Sequence, residues 1–478
     1  MESKNIWIVI AIILFFGACI CCVVISLLFG VGLATREFIK LIPTETPIAL
    51  VQPTAVPSET VPPTTEDTPP STDTATPTES SSTYITPELS AEMDELQNQV
   101  EELRGLEPTG PVKRTLLTPE ELRENVINDF FEDYTEEEAR DDARVLALMG
   151  LLDEDFDLYN FYIDLYSEQV AGYYDDELEQ MFVVQGVEFG GTERLTYTHE
   201  YNHVLQDQTF DIEEGLNLSD EACEDDGERC SAIIALLEGD AVLLEEQWLR
   251  TYATTKDYSD ILEFYENFES PVYDSAPAFL QDDLLFPYIY GIEFVSHEHM
   301  EGGWPAVDEL YRNPPTTTEH ILHPGRYPWD QPRIIQAPDL TSALGNGWRE
   351  IEIDVLGEWY THLMLSEYID QDVSFEAAEG WGGDTYVALY QDDLNEGSIL
   401  LLTTWDTVDD AREFFGAFTD YGDERFGAGS KSINQATWDT AGENVLFELW
   451  GNQTLWILSP NAETTDRIRE AVEFPIPE

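Results

Sequence analysis

The sequence predicts an α+β protein, in which a mainly helical domain with a small edge β-hairpin precedes a smaller domain of two ββα units. Three features indicate this class. Helix-start signals and apolar helical runs recur between residues 107 and 349. Two short apolar runs at 170–174 and 180–184, separated by an acidic turn, are typical of a hairpin. After residue 350 the order strand, strand, helix occurs twice.

The first hundred residues predict an anchor, a stalk and a short helix. Residues 6–34 contain no charged side chain and exceed the ~20 residues needed to cross a bilayer. We therefore predict an uncleaved membrane anchor over 1–40, with the folded domains extracellular. Residues 41–86 are rich in Pro, Thr and Ser and are expected to form a disordered stalk. Residues 87–106 are expected to form a short polar helix, with Thr86 as its cap.

The mainly helical domain is expected over 107–349. Thr-Pro-Glu-Glu at 118–121 combines an N-cap, a proline at the first helical position and a capping-box acid. A similar signal at 135–138 starts a second helix, and further helices are expected at 158–169 and 231–250.

The C-terminal domain is expected over 350–478, beginning with a connecting helix at 352–369. The two ββα units follow the alternating apolar pattern of the chain. Their strands and helices are predicted at 385–390, 398–403, 408–421, 444–449, 453–458 and 462–472.

Composition restricts the class of partner. The 478 residues carry a formal net charge of −75. A nucleic-acid-binding surface needs a basic face, so we expect no nucleic-acid partner. Cys223 and Cys230 bracket a short acidic loop and form either a disulfide or two reduced thiols. The oligomeric state does not follow from the sequence.

The strongest chemical signal is His-Glu-Tyr-Asn-His at 199–203. On a helix, positions i and i+4 share a face, so His199 and His203 would direct both imidazoles at one zinc ion. Glu200 would then act as general base on a zinc-activated water. The alternative is a surface helix with two unrelated histidines.

A zinc site needs a third protein ligand. The metzincin continuation is absent, because Gln206 and Thr209 stand where that pattern needs Gly and His. Glu238 lies in an otherwise apolar helical run, where a buried carboxylate needs a partner such as a metal. Asp240 and Glu245 are alternative ligands or acids that orient an imidazole. Glu238 in a salt bridge at the rim is the competing interpretation.

His-Glu-x-x-His followed on a second helix by Glu-Gly-x-Ala resembles the gluzincin metallopeptidases. QVAGYYD at 169–175, HEYNHVLQDQ at 199–208 and TTEHILHP at 317–324 also resemble a group of predicted bacterial metallopeptidases. The resemblance implies a zincin-like fold over 107–349, hydrolysis of peptide or protein substrates, and Zn²⁺ held by His199, His203 and Glu238. Val242 departs from the gluzincin pattern, which often has an acid there to support the first histidine.

The tetrahedral oxyanion of such a reaction needs a hydrogen-bond donor. His320, His323 and Tyr327 are the candidates on a downstream loop, with Tyr288 and Tyr290 as alternatives. Two other functions stay open. One is a catalytically silent surface binding protein that uses the C-terminal domain, and the other is a zinc hydrolase of a non-peptide amide.

Overall fold

The computed structural model describes residues 84–131, 134–176, 178–184 and 189–476. The helices, numbered in chain order, are α1 (Pro87–Arg104), α2 (Pro119–Asn125), α3 (Glu136–Met149), α4 (Leu158–Gln169), α5 (Gly191–Phe210), α6 (Ile212–Gly215), α7 (Asp220–Asp225), α8 (Gly227–Thr251), α9 (Thr255–Asn267), α10 (Pro271–Asp274), α11 (Ala278–Gly302), α12 (Trp304–Arg312), α13 (Thr318–Leu322), α14 (Leu340–Leu344), α15 (Gly357–Ser366), α16 (Gln371–Ala378), α17 (Val408–Phe426) and α18 (Ala462–Ala471). A π-helical turn, Val126–Phe130, follows α2.

The strands form two sheets. They are β1 (Lys113–Leu117), β2 (Gly172–Asp175), β3 (Gln180–Val184), β4 (Arg349–Asp354), β5 (Trp381–Gln391), β6 (Glu396–Trp405), β7 (Ser430–Lys431), β8 (Gln435–Asp439), β9 (Asn444–Trp450) and β10 (Gln453–Ser459). The mixed helical and sheet content agrees with the predicted α+β class.

Two long helices form the centre of the helical region. A Cβ atom on Gly239 of α8 would lie 2.2 Å from the backbone carbonyl of Gly291 on α11, so only glycine allows this close approach. α5 lies against α8 and α1, and α1 contributes Met93, Leu96 and Val100 to their shared core. The buried face of α5 is thereby held against α8.

The three-stranded sheet contains the predicted hairpin and one further strand. β2 pairs antiparallel with β3, and β1 pairs parallel with β3 on its other side. The order β1-β3-β2 leaves β2 at the edge. β1 was not predicted, because its parallel pairing depends on a partner far along the chain.

The C-terminal sheet has seven strands in the order β4-β5-β6-β10-β9-β8-β7. The two predicted ββα units are present as β5-β6-α17 and β9-β10-α18, and they meet where β6 pairs antiparallel with β10.

The predicted start of the connecting helix, at residue 352, is wrong. Arg349–Asp354 forms β4 on the outer side of β5, and the helix begins at Gly357. Ile351 is buried and Ile353 is exposed, although residues two apart share a face of a regular strand, and the register of β4 against β5 shifts between Glu350 and Glu352, as at a β-bulge.

The helical region and the C-terminal sheet are in direct contact. Arg349 on β4 forms a two-pronged ion pair with Asp141 on α3, at 2.6 and 2.8 Å. The Tyr421 hydroxyl donates to the Met149 carbonyl at 2.8 Å. One continuous cluster of buried apolar side chains includes residues of both regions.

The described part of the structure contradicts the predicted location in the cell membrane. Among the described residues, no helix combines the length and the apolar composition needed to cross a bilayer. The long helices α8 and α11 carry acidic side chains along their length. The predicted anchor (1–40) and most of the predicted stalk (41–86) lie outside the described residues.

Candidate metal centre

α5 presents both histidines of the motif on one buried face. The helix starts after a glycine loop, where the Glu193 carboxylate accepts a hydrogen bond from the Gly190 backbone at 2.9 Å. One turn apart, the rings of His199 and His203 have centroids 4.8 Å apart. Both side chains are excluded from solvent. The helical spacing therefore produces the convergence that the sequence predicts.

Glu238 on α8 completes a three-residue centre. Its Oε2 lies 3.1 Å from His199 Nε2 and 3.7 Å from His203 Nε2. One ligand atom of each residue lies within 4.8 Å of the other two. Ligand atoms at the corners of a tetrahedral zinc site, with bonds of ~2.0–2.1 Å, are about 3.3 Å apart. The observed separations match that edge length.

The other nitrogen of each imidazole is engaged by a second residue. His199 Nδ1 lies 2.9 Å from Glu245 Oε1, an oxygen that accepts when the carboxyl group is ionised. His203 Nδ1 lies 2.7 Å from Gln206 Oε1, and the Gln206 amide donates to the Leu237 carbonyl at 3.0 Å. Glu245 and Gln206 thus offer acceptors to the two Nδ1 atoms, and the tautomer with its proton on Nδ1 would present the Nε2 lone pair of each ring to a metal beside Glu238.

Glu200 lies on the same helix with its carboxylate beside the edge strand. A Cβ atom on Gly172 of β2 would lie 3.6 Å from Glu200 Cγ. Glu200 is 3% exposed, and its Oε2 has no hydrogen-bond partner among the described residues. Burial raises the pKa of Glu200 to about 7. A carboxylate in this condition can both accept and release a proton near neutral pH.

The charges of the centre are strongly coupled. Burial alone would raise the pKa of Glu238, but the charge of His203 and the hydrogen bond from His199 outweigh it and lower that pKa. Burial alone would lower the pKa of His199, and its contacts with Glu238 and Glu245 instead raise it well above the ordinary value. The surroundings of Glu238 thus favour its ionised form when positive charge lies nearby, and a bound cation would supply such a charge.

Asp240, an alternative ligand in the sequence interpretation, has a different partner. Arg104 at the end of α1 binds it through two nitrogens, with the shortest contact at 3.0 Å. The Tyr311 hydroxyl donates to it at 2.6 Å, and the Asn202 amide at 3.2 Å. Asp240 therefore joins α8 to the end of α1. Glu245, the other alternative, supports His199.

The proposed oxyanion donors lie elsewhere. His323 Nε2 is 2.7 Å from Glu358 Oε1, and the Tyr327 hydroxyl contacts the backbone of Asn313. Of the alternatives, Tyr288 is buried against Val242, one turn after Glu238. The structure brings together the three ligands and the base of the sequence hypothesis, and it does not bring His323 or Tyr327 to them.

Sequence reasoning did not identify Gln206 as a partner of His203. The spacing could have indicated it, since residues three apart on a helix are neighbours.

Cys223 and Cys230 form a disulfide that closes the acidic loop before α8.

Comparison with known proteins covers only the C-terminal sheet. Residues 347–469 match a sequence family described as "Domain of unknown function (DUF8575)". No curated protein matches the chain, and no solved structure matches it either. The matched segment begins just before β4 and does not include the His199–His203–Glu238 centre.

Proposed function

We propose that this protein is a zinc-dependent metallopeptidase of the gluzincin type, with a zincin-like fold over its helical region. The observation that carries the proposal is the proximity of ligand atoms of His199, His203 and Glu238 on the buried side of α5 that also carries Glu200. Any one of these residues has an ordinary structural explanation. Their convergence at metal-ligand distances favours a catalytic centre over a packing accident.

The donor set fits zinc. Two neutral imidazole nitrogens and one carboxylate are the protein ligands of many catalytic zinc sites, which leave one position open. Glu238 Oε1 is buried without a hydrogen-bond partner among the described residues. An ionised oxygen in that condition costs several kcal/mol unless a cation balances it. Zinc, when bound here, would polarise a scissile carbonyl and lower the pKa of a water molecule.

Glu200 would take the proton from the attacking water and hold it at Oε2. Its raised pKa of about 7 fits that step and the later transfer of the proton to the leaving amine. The Cγ atom of Glu200 lies beside Gly172 of β2. General-base chemistry and the edge strand therefore share one side of the centre.

A peptide substrate fits this edge better than a small amide does. Within the described part of the chain, β2 pairs with β3 alone, so its other edge could pair with an extended substrate chain. The four central side chains are each at most 3% exposed. Substrate therefore reaches them only after a neighbouring segment moves, which is a common property of enzymes that close over their substrates.

The decisive experiment combines metal analysis with hydrolysis assays on the full-length chain. The parent should contain about one zinc per chain and cleave an unstructured protein such as casein. Glu200→Gln should keep its zinc and lose ~10²–10⁴-fold in rate, because the base is lost while the ligands are intact. Glu213→Gln, an exposed charge-matched control just after α5, should change neither property.

Two results would contradict the proposal. A parent protein without zinc would remove the metal centre. Zinc with equal hydrolysis in parent and Glu200→Gln, or with no hydrolysis in either, would favour a silent binding protein instead.

A further inference from the structure

A second group of acids lies at the junction of the helical region and the C-terminal sheet. Glu319 is on α13, Asp330 is in the loop that follows, and Asp406 comes directly after β6. One carboxylate oxygen of each lies within 4.8 Å of the other two. Residues distant in sequence thus converge on one point, and none of them belongs to the His199–His203–Glu238 centre.

A fourth carboxylate lies beside this cluster without a full set of partners. Glu358 on α15 is 2% exposed, and its Oε2 has no hydrogen-bond partner among the described residues. Its other oxygen lies 2.7 Å from His323 Nε2. The charge of Glu358 contributes to raising the pKa of both Glu319 and Asp406, so this carboxyl group lies within electrostatic range of the cluster.

Arg326 is the guanidinium within the cluster. It contacts Glu319, and it lies 3.1 Å from Glu379 and 3.9 Å from Asp406. One positive charge faces several carboxylates. Burial, followed by the charges of Glu358 and Asp330, raises the pKa of Glu319 to about 8. Excess negative charge of this kind is relieved by a second cation.

We propose that Glu319, Asp330 and Asp406 bind one divalent, oxygen-preferring cation, with Ca²⁺ as the best fit. Ca²⁺ takes carboxylate oxygens as ligands at 2.3–2.6 Å, and it tolerates the irregular geometry that three acids from separate segments provide. Among the described residues, the group contains no nitrogen or sulfur ligand. His320 accepts from the Thr316 backbone at 3.2 Å through Nδ1, and its Nε2 lies 2.5 Å from the Asp330 carbonyl.

The cation would join two parts of the chain. Glu319 lies on a helix that packs against α8 and α11, and the backbone of Asp406 is fixed to Gly380 by a 2.9 Å hydrogen bond. Binding would therefore hold the segment after α13 to the end of β6, with Arg326 kept on Glu379. This role is structural, and it does not depend on the proposed peptidase function.

The test is calcium binding by the full-length protein after chelator treatment and dialysis. Equilibrium dialysis should show one tightly bound Ca²⁺ per chain, and CaCl₂ at constant ionic strength should raise the unfolding temperature. Asp406→Asn and Asp330→Asn should each lower that affinity by at least ~10-fold, since each removes an ionised ligand. Glu413→Gln, an exposed control on α17, should bind like the parent.

The outcomes separate this site from the zinc proposal and from the general acidity of the protein. His199→Ala should keep the full calcium effect, because it alters only the other centre. Equal weakening by Glu413→Gln would show a diffuse charge effect and overturn the site. No calcium effect in the parent would also overturn it and leave Arg326 as the cluster's cation.

Discussion

Glu238 on α8 and Asp384 on β5 are both buried carboxylates, yet their surroundings differ. Asp384 accepts from the backbones of Leu356 and Gly357 at 2.7 and 3.1 Å, and from the Trp381 indole at 2.6 Å. Glu238 faces two imidazoles through one oxygen, and its other oxygen has no partner among the described residues. A buried acid whose oxygens all accept hydrogen bonds is typical of a structural role. A buried acid with an oxygen that accepts none, beside side chains that can bind metals, is typical of a ligand site.

The largest expected effect is on metal binding at Glu238. Glu238→Gln removes an ionised ligand, so zinc affinity should fall by more than ~100-fold, beyond the loss typical of outer partners. Zinc titration measures the affinity. Glu246→Gln, the control on the same helix, should retain zinc.

Asp384 should show the opposite pattern. Asp384→Ala leaves three buried N–H donors without an acceptor, which should lower the free energy of unfolding by about 3 kcal/mol. Zinc content should not change, since no ligand of the His199–His203–Glu238 centre contacts this acid. If the variant instead loses zinc while its unfolding midpoint is unchanged, the contrast between the two carboxylates is wrong.

A smaller effect is expected from the residue that orients His203. Gln206→Leu removes both the imidazole contact and the bond to the Leu237 carbonyl, so zinc affinity should fall by ~10–100-fold. Gln208→Leu on the same helix loses contacts with Thr109 and Gly110, away from the centre, and should bind zinc normally. Competition with a chelator dye gives both affinities. Equal affinities would show that Gln206 does not support the ligand.

The smallest predicted effect is a pH dependence at Asp283. This acid accepts from Trp359 and Tyr360, and burial raises its pKa to about 6 from 3.8. The folded state then binds the proton of Asp283 more tightly than the unfolded state does. Protonation therefore stabilises the fold fully at pH values below the unfolded pKa, and this stabilisation is lost as the pH rises through about 6. The stability of the parent relative to Asp283→Asn should fall by on the order of 2 kcal/mol between pH 4 and 7.

Urea unfolding of the two metal-free proteins across that pH range measures the difference. A constant difference would mean that Asp283 titrates alike in the folded and unfolded states. Metal-free protein is needed because zinc binding has its own pH dependence.

Much of the local structure followed from short-range patterns. The capping boxes at Thr118 and Thr135 are present, and the two ββα units agree with the alternation in the chain. β4, β7 and β8 were missed. β8 is short and polar, and β4 needs β5 to pair with, so neither carries a strong signal of its own.

The sequence by itself determined that two imidazoles and Glu200 share one helix, because a spacing of four residues sets the face of a helix whatever surrounds it. It also singled out Glu238 as an acid in an apolar run. Only the tertiary structure decided among Glu238, Asp240 and Glu245. Their roles depend on which neighbours reach them, and Arg104, which engages Asp240, comes from a helix more than a hundred residues earlier. The acids 319, 330 and 406 show the same limit. Each is an ordinary polar residue in its own segment, and their proximity arises only from the tertiary fold.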